Sequence, residues 1–190
     1  MPAMPAPRCP IVDEAALRRW KDEGPRHLLG VMGFAGAWSR SGHQGDALRA
    51  FKLNARRALE QALLAARDAW GPRLAVVSGA TDAGVLQLAY ALCAAHGIPA
   101  AGVAPRRVLR YRTAEMALLL LHGQRFGDES ALFVDLCDDF LVLGGGPQSE
   151  REARMAVAAG KPVTLIRGFG GAADALAAEG LAGARVVVGR

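Results

Sequence analysis

The chain has 190 residues, enough for one sizeable core and short of two comfortable ones, so a single main domain is expected. Its formal charge of +5 comes from 23 basic residues interspersed with 18 acidic ones. With no dense basic tract and few aromatic residues to stack bases, nucleic acid is not the expected partner. No apolar run approaches the roughly 20 residues that span a bilayer, which sets membrane insertion aside. His27, His43, His96 and His122 lie far apart and none sits at ligand spacing, so no metal and no cofactor are expected. Cys9, Cys93 and Cys137 are odd in number and show no CxxC spacing, a pattern that suits a reducing cytoplasm.

In chain order, residues 1–10 carry four prolines and no signal-peptide pattern, and read as a disordered tail. Residues 11–23 form an amphipathic helix that Gly24-Pro25 breaks, which makes residues 11–27 a helical N-terminal extension to a domain over residues 28–190. An apolar run at 27–34 is followed by a helix at 47–70, closed by Gly71-Pro72, and a strand at 74–77. Thr81 or Asp82 caps a helix that runs to His96, Gly97 ends it, and residues 100–103 form a strand. Residues 113–121 read as helix, 131–134 and 140–143 as apolar strands, and 150–159 as helix. A strand at 163–166, a short helix at 172–178 and a strand at 185–188 complete the chain.

Strands and helices alternating at this spacing predict an open doubly wound α/β domain, with a mainly parallel sheet covered by helices on both faces. Ligands of such sheets sit beyond the carboxyl ends of the strands. Four loops rich in glycine and polar residues fall there: 33–45, 78–84, 105–113 and 144–149. In the first, Gly30, Gly33 and Gly36 make GxxGxxG, which lacks the GxGxxG spacing of a dinucleotide fold. In the second, Gly79, Thr81, Asp82 and Gly84 are either a capped turn or ligand contacts.

The loop of Gly144, Gly145, Gly146, Pro147, Gln148 and Ser149 is the strongest signal. A buried strand that ends in three glycines and turns into a helix brings backbone N–H groups to a phosphate. Ser149 and Glu152 stand in the S-x-x-E relation of a capping box, which would also keep Glu152 ionised near a helix start. Such a carboxylate could stabilise the positive charge that develops on a ribose ring as its bond to a base breaks. Arg106, Arg107, Arg110 and Arg112 are either a solvated cluster or, if they face the carboxyl edge, phosphate ligands. Asp128 and Glu129 are either polar loop residues or partners of ribose hydroxyls and a second acid/base carboxylate.

These residues resemble the Rossmann-like superfamily that joins the Lonely-guy phosphoribohydrolases (often labelled lysine decarboxylase-like), the DNA-processing protein DprA and the cytosolic domain of TRPM channels. The phosphoribohydrolase motif P-G-G-x-G-T-x-x-E is similar to Gly144 through Glu152, with Ser149 for threonine. The motif R-K-x-E-M is similar to Arg112-Thr113-Ala114-Glu115-Met116, and a G-G-x-x-G-L-M loop to the stretch from Ser78 to Leu86. The triple glycine and Gly127-Asp128-Glu129-Ser130 look closer to a prokaryotic TRPM-like branch. The resemblance implies a cytoplasmic protein, a homodimer as in the related hydrolases, and a phosphorylated nucleoside or other nucleotide-derived ligand. It further implies possible hydrolysis of the bond between base and ribose 5′-phosphate, with Glu152 and Arg112 as catalytic residues. A non-catalytic sensor is the alternative, and single-strand DNA binding of the DprA kind is the weaker third.

Overall fold

Eight parallel strands make one sheet in the computed structural model, which describes residues 7, 9–36 and 38–189. In chain order they are β1 (Ile11–Val12), β2 (His27–Gly33), β3 (Leu74–Ser78), β4 (Ala100–Ala104), β5 (Leu118–Leu121), β6 (Asp139–Leu143), β7 (Val163–Arg167) and β8 (Ala184–Val188). Six helices connect them: α1 (Glu14–Glu23), α2 (Gly45–Trp70), α3 (Gly84–His96), α4 (Ser130–Leu136), α5 (Pro147–Ala158) and α6 (Gly171–Glu179). The spatial order is β1-β5-β4-β3-β2-β6-β7-β8. The open doubly wound α/β fold read from the sequence is the fold observed.

Side-chain alternation divides the strands between two cores. Leu28 and Met32 of β2 and Phe140 and Val142 of β6 pack on one face with Phe133, Ala153, Ala156 and Leu176 from α4, α5 and α6. Leu29 and Val31, with Leu141 and Leu143, pack on the other with Ala55, Leu59 and Leu63 of α2 and Val85, Ala89 and Leu92 of α3. Burial on both faces is why these strands read as continuous apolar runs. The helices meet the sheet through stripes at helical spacing, such as Ala55, Leu59 and Leu63 on α2. Asp13 caps α1 by accepting from the Ala16 N–H at 2.7 Å, and Gly97 closes α3 in the left-handed region at φ 64°.

Several local expectations differ from the structure. Residues 118–121, expected within a helix, are β5, wedged between β1 and β4. Leu118 and Leu120 enter one core and Leu119 another, so burial on both faces overrides the helix propensity of leucine. Residues 131–134, expected as strand, lie in α4, an example of a short apolar run that periodicity alone cannot assign. Ile11 and Val12, expected to open a helix, pair with Leu119 and Leu120 instead. The expected tail at 1–10 falls mostly outside the described residues. Neither Thr81 nor Asp82 caps α3: its N-cap is Ala83, with no side-chain bond. Among the described residues no helix is long and apolar enough to cross a membrane.

Tyr90 ties α3 to the sheet. The residue is 4% exposed, and its hydroxyl lies 3.0 Å from both the Ser78 and Ala101 carbonyl oxygens, so that one hydrogen is shared between β3 and β4. Tyr90→Phe is expected to cost about 1 to 2 kcal/mol in urea unfolding. An unchanged unfolding midpoint would show that the shared bond contributes nothing.

Candidate ligand-binding site

From β2 the chain proceeds to β3, β4 and β5 on one side, whereas β6, β7 and β8 extend the sheet on the other. The loops after β2 and β6 therefore diverge and leave a crevice at the carboxyl edge, the position where open α/β sheets take ligands. A cavity of about 730 Å³ occupies it. All four glycine-rich loops reach it, through Gly33 and Gly36, Gly79 and Thr81, Pro105 and Tyr111, and Gly145 to Ser149. A fifth contribution, Phe169, Gly170 and Gly171 after β7, was missed in the sequence reading, although Gly168-Phe169-Gly170-Gly171 carried the signal.

The glycine loop after β6 is held by its carbonyls. Ala172 and Ala173 at the start of α6 donate their N–H groups to the Gly145 and Gly144 oxygens, both at 3.0 Å. Gly145 has φ +92°, and a Cβ there would lie 2.6 Å from the Ser149 Cβ, so only glycine closes this turn without strain. Gly146 is the N-cap of α5 in an extended conformation, and a Cβ on it would meet nothing within 4 Å. Pro147 follows at the first helical position, and Glu150 is the first residue whose N–H returns to the loop, bonding Gly146 O at 3.0 Å. The N–H groups of Gln148 and Ser149, both lining the cavity, have no backbone acceptor. They are the orphan donors of a helix start, on residues that line the pocket.

The expected capping box does not form. Because α5 begins at Pro147, Ser149 and Glu152 both lie inside the helix, and the Ser149 hydroxyl makes only a long 3.5 Å bond to Gly33 O. Glu152 is freed for the pocket. Its Oε1 accepts from the Ser130 hydroxyl at 2.6 Å and from Gln148 Nε2 at 2.8 Å. Gln148 Nε2 also donates to Glu129 Oε1 at 2.8 Å, and Glu129 Oε2 accepts from the Gly127 N–H at 2.8 Å. One amide thus bridges two carboxyl groups on residues only 4% and 6% exposed. The remaining oxygen, Glu152 Oε2, has no bonded partner. Since no side-chain polar atom among the described residues is both buried and unbonded, Oε2 is open to the cavity that Glu152 lines. Burial pushes the Glu152 carboxyl above the ordinary carboxylate range, and the nearby charge of Glu129 adds to the rise; the Ser130 and Gln148 bonds and the Arg151 charge oppose it.

Apart from Ser130, the other residues singled out in the sequence make no bond to this array. Arg112, 75% exposed, pairs through Nε with Asp82 Oδ2 at 2.6 Å and does not line the cavity, so nothing brings it to Glu152. The Asp82 N–H donates to Arg112 O, and Thr81 bridges to Thr113, so this pair clamps two loops together. Gly84, with φ +60°, opens α3, where a Cβ would run into the Phe34 carbonyl oxygen. Asp128 faces solvent and organises its own loop, accepting from the Gln124 and Arg125 N–H groups at 2.8 and 2.9 Å, bonds that hold its carboxyl below the usual range. Ser130, 2% exposed, acts through Glu152. Gly144 shapes the turn from outside the cavity lining. Among the described residues, no lysine, arginine or histidine lines the cavity.

Fold and site together define a doubly wound α/β domain with its crevice at the switch between β2 and β6. Residues 46–188 match the family described as SLOG in TRPM, prokaryote, and the chain belongs to that family. A search of curated proteins finds none that matches. Among solved structures, the chain is similar to TM1055, a structural-genomics target solved by X-ray crystallography, at 24% identity over 79% of each chain with a TM-score of 0.59. It is also similar to the molybdenum cofactor binding protein of the phototrophic bacterium Rippkaea orientalis, at 18% identity over 85% of this chain and 88% of that one, with a TM-score of 0.62. The Moco carrier protein of Chlamydomonas reinhardtii aligns at 17% identity over 85% and 88%, with a TM-score of 0.57. At these identities the likeness is one of fold.

A carboxyl whose pKa in the folded state exceeds its unfolded value disfavours folding once the pH is above both, and this cost fades as the pH falls toward the unfolded value. Glu152→Gln retains an oxygen for Ser130 and Gln148 and removes the buried charge. It is therefore expected to be more stable than the wild type at neutral pH, with an advantage that shrinks as the pH approaches the ordinary 4.5. Thermal unfolding across that range checks this; a variant less stable than the wild type at neutral pH would contradict it.

Proposed function

We propose that this protein binds a phosphorylated nucleoside or a closely related nucleotide-derived ligand, with the phosphate at the start of α5 and the remainder along the cavity. The observation that carries this reading is the pair of unpaired N–H groups at the start of α5, on Gln148 and Ser149, two residues that line a cavity of about 730 Å³. Backbone donors at a helix start attract an anion through both hydrogen bonds and the helix dipole. With no basic side chain in the lining, they are the groups suited to hold one. The volume falls toward the upper part of the roughly 300 to 1,000 Å³ typical of ligand pockets. Apolar side chains, Phe34, Leu86 and Val103 among them, offer a wall for a heterocycle. Two of the similar structures are described as a molybdenum cofactor binding protein and a Moco carrier protein, which supports small-molecule binding as a use of this fold.

A second reading, hydrolysis of the bond between base and ribose 5′-phosphate, rests on Glu152 Oε2. Glu152 follows Gln148 and Ser149 by about one turn of α5, and this oxygen is free to meet a ribose hydroxyl, an attacking water or an oxocarbenium-like centre. Arg112, held on Asp82, takes no part in this version; Gln148 and Ser130 position the carboxyl instead. If the reading holds, Glu152→Gln keeps ligand affinity and loses base release, measured by chromatography of nucleoside monophosphates after incubation. A wild type that binds these nucleotides and releases no base leaves binding as the function.

Gly146→Asp is the sharper test of the phosphate site. Aspartate is a favoured N-cap, the backbone there is already extended, and its Cβ has open space, so stability should hold or rise by about a few tenths of a kcal/mol. Its carboxylate would bond the N–H groups that a phosphate needs and repel the incoming anion. Calorimetry with nucleoside 5′-monophosphates should show an affinity loss of about 30-fold or more. Unchanged affinity in the folded variant would remove the phosphate site.

A further inference from the structure

β4 ends at the inner wall of the cavity, and Pro105 leads into a single tight turn, Arg106–Arg110. The Arg106 and Arg107 N–H groups donate to Gly123 O at 3.0 Å and Gln124 O at 3.2 Å, which draws this turn against the loop that follows β5. Two aromatic rings meet as a result. Tyr111 and Phe126 have ring centroids 5.8 Å apart, both line the cavity, and both are 43% exposed. The Arg107 guanidinium stands 6.0 Å from the Phe126 ring centroid, at the outer limit of a cation–π contact. Arg106, Arg110 and Arg125 are exposed in the same two segments. Among the described residues none of these four makes an ion pair, whereas Arg112 next to them is neutralised by Asp82. Asp128, the carboxylate closest in sequence to Arg125, is occupied by two backbone N–H groups of its own loop.

Half-exposed aromatic rings at the lip of a cavity, with an unpaired arginine over one of them, have the chemistry of a stacking platform beside an anion site. Like-charged guanidinium groups gathered on one rim repel each other until an anion arrives. Neither property is needed by a ligand whose one phosphate sits at α5. We propose that the mouth is a second anion subsite, with Arg107 as its main contact and Tyr111 and Phe126 as its stacking surface, so that the ligand carries a second phosphate beyond the first. A nucleoside diphosphate or a pyrophosphate-linked dinucleotide fits this description. The inference rests on the phosphate site proposed at α5 and adds the length and charge of the ligand to it.

The test compares AMP, ADP and ADP-ribose by calorimetry on the full chain. ADP or ADP-ribose is expected to bind about tenfold or more tightly than AMP. Arg107→Gln should erase most of that difference while changing AMP affinity by less than about threefold. Arg56→Gln, an exposed substitution on α2 with the same change in net charge, should leave the difference intact. Equal affinity for mono- and diphosphates, or an Arg107→Gln variant that weakens both alike, overturns the second subsite and leaves the inner one standing. ADP-ribose binding that Arg107→Gln removes and Gly146→Asp does not touch keeps the mouth and removes the inner site. If no mononucleotide competes while a single-stranded oligonucleotide binds with a steep loss of affinity on added salt, both fall in favour of nucleic acid.

Discussion

The site depends on one topological constraint, the position of β2 between β3 and β6. Parallel pairing brings every carboxyl end to the same edge, and the reversal of direction at β2 parts the loops that follow it and β6. The glycine loop after β6 then runs next to the start of α6, whose N–H groups take up the Gly144 and Gly145 carbonyls. Those bonds fix the loop without consuming its own donors. Gly146 as an uncharged N-cap and Pro147 as the first helical residue leave the next two N–H groups unclaimed. A serine or aspartate at the cap would have stabilised α5 and closed the site.

This arrangement has an electrostatic consequence. The charged side chains lining the cavity are the carboxyls of Glu129 and Glu152, and in the proposed reading they share it with a phosphate. Two devices reduce the conflict. Gln148 donates to both carboxyls, and burial makes Glu152 easier to hold as the neutral acid. Glu129 has an N–H donor on each oxygen, the Gly127 amide on one and Gln148 Nε2 on the other. Arg107, exposed and outside the lining, stands over the Phe126 ring that lines the cavity, where in the proposed reading it attracts an anion without being buried.

The fold was legible because a buried parallel strand and an amphipathic helix leave different periods in the sequence, and most of the elements alternated cleanly. The failures came where those signals are weak. Leu118–Leu121 is apolar on every residue, so nothing local separates a central strand from a helix; only the partners β1 and β4 decide. The short α4 gave the opposite error for the same reason. At the site, the glycines and Glu152 were found because backbone chemistry is local: a strand, a triple glycine and a helix are consecutive in sequence. Their connections were not. The capping box was a sound reading of Ser149 and Glu152 until Pro147 set the helix start three residues earlier. Arg112 was assigned by motif, yet its carboxylate, Asp82, lies in a loop that the sequence places thirty residues away. Glu129, an undecided loop residue in the sequence, reaches Glu152 only through Gln148, a link that depends on how α4 and α5 pack.

The central claim is that the Gln148 and Ser149 amides hold the ligand's phosphate. Backbone ¹⁵N–¹H spectra recorded while a nucleoside 5′-monophosphate is titrated in test it most directly. The account predicts that these two amide resonances move downfield together and saturate at the same ligand concentration as the binding isotherm, with smaller changes at Gly145 and Gly146. Saturable binding that shifts resonances elsewhere and leaves Gln148 and Ser149 in place would contradict it.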